Sequence, residues 1–341
     1  MGEDGGLTKV GGTAIGGRVV RGARRRCGKA TRGVAGWALA AGLFAMLPPA
    51  PALAQKPAKS AKAAKPGAKT GAKAGAKSGA KPTPKVALPP LPTPVSYPLP
   101  DGRKPFVDKL PGTLVDWEML PIPAPPGGKA FYMSRTEVLW NLFDVFAYRL
   151  DLTEEQKAAG VDAEARPSKP YGAPDRGFGH VNYAALGMHY QAVVRFCEWL
   201  SRKTGRKYRM PTEAEWEWAA SAGETPKVLS PAELRRVAWF RDNAVDKAME
   251  VRKLAPNRWG LYDMLGNVGE FCFAPEGTPA GKEPIRGGSW NDKSPDVQVK
   301  SRQYWQPDWQ MSDAQIPKSK WWLSDGPYPG IRLVCEDAPT Q

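Results

Sequence analysis

Two carboxylates, Asp263 and Glu270, stand seven positions apart in the run WGLYDMLGNVGEF (residues 259–271). The letters GNVG between them include residues that favour tight turns and left-handed backbone angles. We therefore expect an irregular loop, neither helix nor strand, whose apolar side chains anchor it and whose oxygens point inward. Such a loop suits a hard cation such as Ca²⁺, which takes carboxylate and backbone carbonyl oxygens. The alternative interpretation is that these carboxylates accept hydrogen bonds from the loop's own backbone.

Three further segments accompany this run in a fixed order along the last two thirds of the chain. They are RMPTEAEWEWAASAG (residues 209–223), IRGGSW (residues 285–290) and GIRLVCE (residues 330–336). Together the four segments resemble the signature segments of the formylglycine-generating enzyme, or sulfatase-modifying factor, family. The resemblance implies an α+β fold of the C-type-lectin-like kind, rich in loops and stabilised by calcium.

The resemblance also implies which residues would hold the calcium. At the first site the ligands would be two side chains and two backbone carbonyls, those of Asp263, Glu270, Gly266 and Val268. A second site would use the side chain of Asn243 and the carbonyl of Ala244, with Asp246 as a candidate for a further carboxylate.

The chemistry of the resembled enzyme depends on a copper ion held by two cysteines that follow RGGS. Copper(I) needs soft thiolate ligands, but the aligned positions here are Asp292 and Val297, and no histidine stands nearby. Copper-dependent oxidation is therefore not expected. A second branch of the family holds non-haem iron with histidines from an added helical domain. This chain has only His180 and His189 and no such domain, so iron chemistry is not expected either.

An aromatic and polar surface is the remaining candidate for function. We predict that a ligand contacts residues near RGGSW, namely Trp290, Asp292, Ser301, Arg302 and Trp305. Tryptophan faces stack on sugars and on apolar side chains. The alternative is that these tryptophans fill the core of a loop-rich fold.

Charge divides the chain into an extension and a neutral remainder. The first 100 residues hold 17 of the 49 Lys and Arg residues but only 2 of the 34 Asp and Glu residues. Residues 1–54 combine a basic start, a short apolar run and the ending Ala-Leu-Ala, which predict a signal peptide cleaved after Ala54. The protein would then be exported to the periplasm or beyond. An uncleaved N-terminal membrane anchor is the alternative.

Residues 55–111, rich in Lys, Ala, Gly and Pro, predict a disordered tether, and residues 112–341 predict the folded domain. The lysines of the tether suit contact with an anionic envelope polymer or membrane surface, although a solvated spacer without a specific partner explains them equally well. A nucleic-acid-binding function is not expected, because the basic charge lies outside the predicted fold.

The elements that must position these residues can also be predicted. Apolar spacing predicts helices over residues 136–150, with Thr136 as N-cap, and over residues 188–203, stopped by Gly205. Thr212-Glu213-Ala214-Glu215 matches a capping box at the start of a third helix. Strands are expected at residues 113–120, 130–133, 285–290 and 330–335. Of the cysteines in the predicted domain, Cys197 should be a buried thiol, while a Cys272–Cys335 pairing is left open.

Two functions from different classes follow. The first is a non-catalytic binding or scaffold protein of the cell envelope, stabilised by calcium, whose partner is a protein or an envelope polymer. The second is an oxidoreductase of the formylglycine-generating type that acts on protein cysteine or small sulfur compounds. The missing cysteine pair favours the first. The sequence does not indicate the oligomeric state.

Overall fold

The regular elements of this chain are short, and most of its strands have two to four residues. The computed structural model describes Leu88 and residues 90–97, 99–170 and 172–337, all within one unit of the chain, Lys81–Gln341. The predicted signal segment, the anchor that is its alternative, and most of the predicted tether lie outside these residues. No described helix is both long and apolar enough to cross a bilayer.

The described residues contain eleven strands, five α-helices and two short 3₁₀ helices, Ser294–Asp296 and Pro307–Gln310. The strands are β1 (Phe106–Lys109), β2 (Asp116–Ile122), β3 (Phe131–Ser134), β4 (Tyr208–Arg209), β5 (Ala238–Trp239), β6 (Leu265–Gly266), β7 (Gly269–Phe271), β8 (Ile285–Arg286), β9 (Arg302–Gln303), β10 (Pro329–Gly330) and β11 (Val334–Cys335). The helices are α1 (Trp140–Ala147), α2 (Glu154–Ala158), α3 (Tyr190–Thr204), α4 (Glu213–Ala220) and α5 (Pro231–Leu234). The chain is therefore α+β and rich in loops, as predicted.

Three sheets organise these strands. The largest has the order β1-β2-β3-β11-β4, with every neighbouring pair antiparallel. The second has the order β10-β7-β8-β9, in which β10 and β7 are parallel. The third is the parallel pair β5 and β6. Because β11 comes from the end of the described chain and lies between β3 and β4, the first sheet joins distant parts of the sequence.

Two apolar clusters fill the space around these sheets. One packs α1 and α3 through an aromatic group in which Phe143, Phe146 and Phe196 are fully buried. The other lies beneath α4 and holds Trp216 and Phe240, both 0% exposed. Burial of this much aromatic surface is the main term that stabilises a fold with so little regular structure.

The helix ends follow local sequence in two of the three predicted cases. Gly205 ends α3 in a left-handed conformation at φ 70°, as predicted. The capping box of α4 is confirmed, since the Thr212 side chain accepts from the Glu215 N–H and Glu215 bonds back. The predicted start of α1 at Thr136 is wrong, because the helix begins at Trp140 without a side-chain cap. The intervening backbone pairs elsewhere, with the Val138 N–H donating to the carbonyl of Ile331 at 2.9 Å.

Two other expectations differ from the structure. The folded part begins before residue 112, because β1 pairs with β2 and the Val95 N–H donates to the Arg258 carbonyl at 2.8 Å. The run 259–271 is not wholly irregular, since it contains β6 and β7. The turn starts at Gly266, the last residue of β6, and continues into Asn267, and these two residues have φ of 71° and 50°.

Candidate functional site

The loop between Asp263 and Glu270 delivers both carboxylates into the interior. Asp263 is 3% exposed and Glu270 is 0% exposed. Gly266 makes this turn possible because a Cβ there would lie 2.1 Å from the carbonyl oxygen of Trp239. The glycine therefore permits the close approach of β5 that directs the two acids inward.

Arg332 is the buried cation that meets these acids. Its Nε donates to Glu270 Oε1 at 2.8 Å, and its two terminal nitrogens donate to the carbonyls of Ser134 and Tyr262 at 2.9 and 2.8 Å. The second oxygen of Glu270 accepts from the indole of Trp216 at 2.6 Å. Both oxygens of Glu270 are thus hydrogen-bonded within the protein.

Glu137 is a third buried carboxylate in the same cluster. Its Oε1 accepts from the Asn267 side chain at 3.1 Å, and its Oε2 lies 3.9 Å from Arg332, beyond hydrogen-bond distance. That Oε2 has no hydrogen-bond partner among the described residues. Three acids, Glu137, Asp263 and Glu270, therefore lie within the electrostatic influence of one buried guanidinium, and Asp263 also accepts from the Arg252 N–H at 2.8 Å.

Burial sets the protonation of this cluster. It raises the pKa of Glu137 well above its ordinary value and raises the pKa of Asp263 to about 6, against the attraction of Arg332. The pKa of Glu270 is raised as well, again mainly by burial. Charged forms of all three acids together need more positive charge than Arg332 supplies.

These residues fit a calcium ion in part. The excess negative charge and the orphaned Glu137 oxygen suit an added cation beside the loop. Asp263 and the carbonyls of Gly266 and Val268 would hold it, and its role would be to neutralise charge and fix the loop. Glu270 fits less well because its oxygens already bond Arg332 and Trp216. Among the described residues no three His, Cys, Asp or Glu side chains gather at one point that could hold a metal.

The residues predicted to form the second calcium site make hydrogen bonds within the protein instead. The Asn243 side chain accepts from the Phe240 N–H at 2.9 Å and donates to the Ala238 carbonyl at 3.0 Å. The carbonyl of Ala244 accepts from the Lys247 N–H at 3.3 Å. Asn243 therefore fixes the turn that follows β5.

Sequence reasoning missed Glu137, Asn267 and Arg332. A usable signal was present, because Arg332 stands in the apolar segment GIRLVC and Glu137 in the segment that joins β3 to α1. A charged residue within a strand-like apolar run needs a buried partner. The partner could not be assigned, since Arg332 and Glu137 are 195 positions apart in the sequence and meet only in the fold.

A second candidate site is an open pocket of about 390 Å³ at the β9 edge of the second sheet. We call it the aromatic pocket, and six of its lining residues are Asn291, Asp292, Arg302, Tyr304, Trp309 and Tyr328. The rings of Trp309 and Tyr328 lie 5.4 Å apart, centre to centre. The pocket thus combines aromatic faces with charged and amide groups.

Two of the five predicted ligand-binding residues, Asp292 and Arg302, line this pocket. Trp290 lies beneath it, 7% exposed, with its ring 5.7 Å from Tyr328 and its indole N–H on the Pro327 carbonyl. Ser301 and Trp305 do not line it, and Ser301 instead donates to the Pro295 carbonyl at 3.3 Å. Trp290 therefore contributes more to the core than to the surface of this pocket.

The two positions aligned with the copper cysteines have structural roles. Asp292 Oδ2 accepts from both the N–H and the hydroxyl of Ser289 at 2.7 Å, which closes the turn after RGGS. Val297 is 0% exposed and packs in the cluster beneath α4. Neither side chain can serve as a soft metal ligand.

The described cysteines are all buried and free. Burial raises the pKa of Cys197 to about 12 and raises the pKa of Cys272 and Cys335 as well. All three are therefore thiols at neutral pH, and the Cys272–Cys335 pairing that the sequence left open is not formed.

The two histidines occupy separate structural positions. His180 stacks on Trp140 at 5.5 Å, and its ring nitrogens bond Asp144 at 2.6 Å and Asp175 at 3.2 Å. His189 caps the start of α3, where its ring accepts from the Gln191 N–H.

Comparison with known families identifies the class of protein. The model of the sulfatase-modifying factor enzyme 1-like domain matches residues 127–315, which is more than half of the chain. The chain therefore belongs to this family, and the resemblance seen in the four signature segments is confirmed.

Several curated proteins are similar over part of their length. A serine/threonine-protein kinase pkn1 from Chlamydia pneumoniae is 29% identical over 36% of this chain and 22% of its own. The inactive C-alpha-formylglycine-generating enzyme 2 of Mus musculus is 33% identical over 28% of this chain and 34% of its own. The mouse formylglycine-generating enzyme is 26% identical over 32% of this chain and 36% of its own. The matches thus span about a fifth to a third of the length of these relatives.

Among solved structures, Treponema denticola variable protein 1 is similar at a TM-score of 0.48 and 24% identity, covering 68% of this chain and 99% of that one. PvdO from Pseudomonas aeruginosa is similar at a TM-score of 0.42 and 23% identity, covering 68% of this chain and 91% of that one.

Proposed function

We propose that this protein is a non-catalytic binding or scaffold member of its family, exported to the cell envelope. The observation that carries the proposal is the pair Asp292 and Val297 at the positions where the oxidising enzymes of the family are expected to hold copper. Asp292 closes a turn and Val297 is buried. Without thiolates there, the domain lacks the soft ligands that copper(I) requires.

The remaining thiols support the same conclusion. Cys197, Cys272 and Cys335 are buried, and their pKa values are raised. A thiol must lose its proton to become a nucleophile or a metal ligand, so these cysteines are poor substitutes for the missing pair.

The aromatic pocket is the proposed ligand site. Tyr304, Trp309 and Tyr328 offer ring faces, while Asn291 and Asp308 offer polar groups beside them. Aromatic faces with nearby hydrogen-bonding groups suit sugar rings. An envelope polymer is therefore the ligand class we favour over a protein, and the basic N-terminal extension would assist contact with an anionic polymer.

The named relatives are compatible with this proposal. One is called inactive, and another is a kinase of which the similar region forms only a part. The competing function, oxidation of cysteine or small sulfur compounds, is favoured by the similarity to the mouse formylglycine-generating enzyme.

Oxygen uptake separates the two functions. The purified full chain is mixed with a cysteine-containing peptide and copper(I), with the mouse formylglycine-generating enzyme as the positive control. We expect no uptake above that of copper and peptide alone. Protein-dependent uptake with product formation would establish the oxidoreductase instead.

Binding is tested by co-sedimentation of the full chain with insoluble peptidoglycan. We expect sedimentation that falls several-fold in Tyr304→Ala and Asp308→Ala. Phe273→Ala, which removes a half-exposed aromatic side chain outside the pocket, should sediment like the wild type. Equal sedimentation of all variants would reject the aromatic pocket as the site, and no sedimentation would reject this polymer in favour of a protein ligand.

A further inference from the structure

A second pocket is lined by Glu137 of the buried charge cluster and by residues of β2, the start of α1 and the segment 250–253. Its volume is about 650 Å³, and it shares no lining residue with the aromatic pocket. We call it the acidic pocket, and its charged and aromatic lining residues include Asp116, Trp117, Glu118, Glu137, Glu250 and Arg252. A volume of this size accommodates a small organic molecule.

Acidic residues outnumber basic ones in the lining of the acidic pocket. Four acidic residues and two basic ones, Arg252 and Lys253, line it. Glu118 is neutralised by Arg135 and Arg252, and Glu250 lies 3.1 Å from Lys253. Asp116, which is exposed, has no ionic partner among the described residues. Asp116 is therefore the acid at this surface that is free to pair with a bound cation.

Glu137 gives the pocket a specific anchor. It lines the pocket, is 1% exposed, and its Oε2 lacks a hydrogen-bond partner among the described residues. Its nearest cation, Arg332, lies 3.9 Å away and bonds Glu270 instead. Burial raises the pKa of Glu137, and a cation bound beside Oε2 would stabilise the charged carboxylate and offset its desolvation cost.

The apolar part of the lining favours an organic cation over a bare metal ion. Val138, Leu142, Val251 and Leu333 provide apolar walls, and Trp117 adds an aromatic face. A bare metal ion would leave most of 650 Å³ unfilled, and calcium needs six to eight oxygen ligands. An ammonium group on an alkyl chain matches both the acids and the apolar walls, because the chain fills the space that a metal cannot.

We propose that the acidic pocket binds a primary alkylammonium group, with Glu137 as the anchor and Asp116 at the entrance. The group belongs either to a free diamine or to a lysine side chain of a peptide. This site is independent of the function proposed for the aromatic pocket.

Calorimetric titration of the full chain tests the proposal. The probes are pentane-1,5-diamine and the peptide acetyl-Gly-Gly-Lys-Gly-Gly-amide. Their neutral controls are the diacetylated diamine and the same peptide with norleucine in place of lysine. We expect saturable binding of at least one amine and none of the neutral controls. Tighter binding of the diamine identifies a free amine as the ligand, and tighter binding of the peptide identifies a lysine side chain.

Variants assign the binding to this pocket. Glu137→Gln and Asp116→Asn should each weaken binding by about tenfold or more, since each removes a charged hydrogen-bond acceptor. Glu276→Gln makes the same change of charge at an exposed residue outside the pocket and should bind like the wild type. Circular dichroism establishes that each variant is folded. If Glu137→Gln does not fold, the affinity of Asp116→Asn alone tests whether the amine binds in the acidic pocket.

Three results would overturn the proposal. The first is equal binding of the neutral controls, and the second is unchanged affinity in both Glu137→Gln and Asp116→Asn. The third is displacement of the amine by millimolar calcium together with loss of calcium binding in Glu137→Gln, which would make the pocket a metal site.

Discussion

At the scale of single residues, Arg332 determines whether the interior of this domain can hold its acids. The guanidinium is 0% exposed and bonds one carboxylate and two backbone carbonyls. The sequence identified Asp263 and Glu270 as a pair that points inward, because turn residues separate them. It could not identify the cation between them, since Arg332 is brought there by strand pairing over a long separation in sequence.

Replacement of Arg332 by methionine should be strongly destabilising. It leaves Glu137, Asp263 and Glu270 buried without their shared cation, and breaking such an arrangement costs about 3–5 kcal/mol of unfolding free energy. Urea unfolding of the full chain measures the loss. Arg235→Met is the matched control, because the pair of Arg235 with Asp242 lies at the surface and should cost about 1 kcal/mol or less. Equal losses in the two variants would contradict the role of Arg332.

Asp263 makes stability depend on pH in a direction opposite to that of most surface acids. Because burial raises its pKa from 3.8 to about 6, the folded state binds this proton more tightly than the unfolded state. The resulting stabilisation is complete below about pH 4 and is lost as the pH rises through 6. At about 1.4 kcal/mol per unit, the effect amounts to at most about 3 kcal/mol.

The corresponding measurement compares wild type with Asp263→Asn between pH 4 and pH 7. Asparagine is tolerated at the positive φ of this residue. We expect the stability of the wild type relative to the variant to fall across this range. Asp246→Asn makes the same change at an exposed position with a similar φ of 55° and is the matched control. A stability difference for Asp263→Asn that stays constant from pH 4 to pH 7 would show that this carboxyl does not titrate as described.

At the scale of elements, local signals predicted helix ends where the cap is a side chain or a glycine. The capping box of α4 and the Gly205 end of α3 are decided by neighbouring residues, so they were predicted from the sequence. The start of α1 was not, because the backbone before it pairs with distant segments. The two-residue strands escaped precise prediction for the same reason, since such pairing depends on partners far along the chain.

The N-cap of α4 contributes measurably to the free energy of unfolding. Thr212→Ala removes the oxygen that accepts from the Glu215 N–H at 3.2 Å and should cost about 1 kcal/mol of unfolding free energy. Thr212→Ser keeps an equivalent hydroxyl and should cost much less. Chemical unfolding of both variants measures the difference, and equal losses would mean that the hydroxyl is not the stabilising group.

At the scale of the whole molecule, the prediction still to be tested is that bound calcium stabilises the folded chain. If the ion binds beside Asp263, the melting temperature of the full chain should fall on chelation and recover with calcium, since a ligand that binds only the folded state stabilises it by mass action. Asp263→Asn should abolish this response, while magnesium at equal ionic strength should not restore it. An unchanged melting temperature would mean that Arg332 alone compensates the cluster.

The placement of β11 also bears on how the chain is made. This strand fills the middle of the first sheet, between β3 and β4, although its residues 334–335 follow every other strand in the sequence. During synthesis β3 and β4 must leave the ribosome long before the strand that joins them exists. The first sheet can therefore close only after residue 335 has emerged, and a nascent chain stalled or truncated before that point would expose two unpaired strand edges to chaperones and proteases.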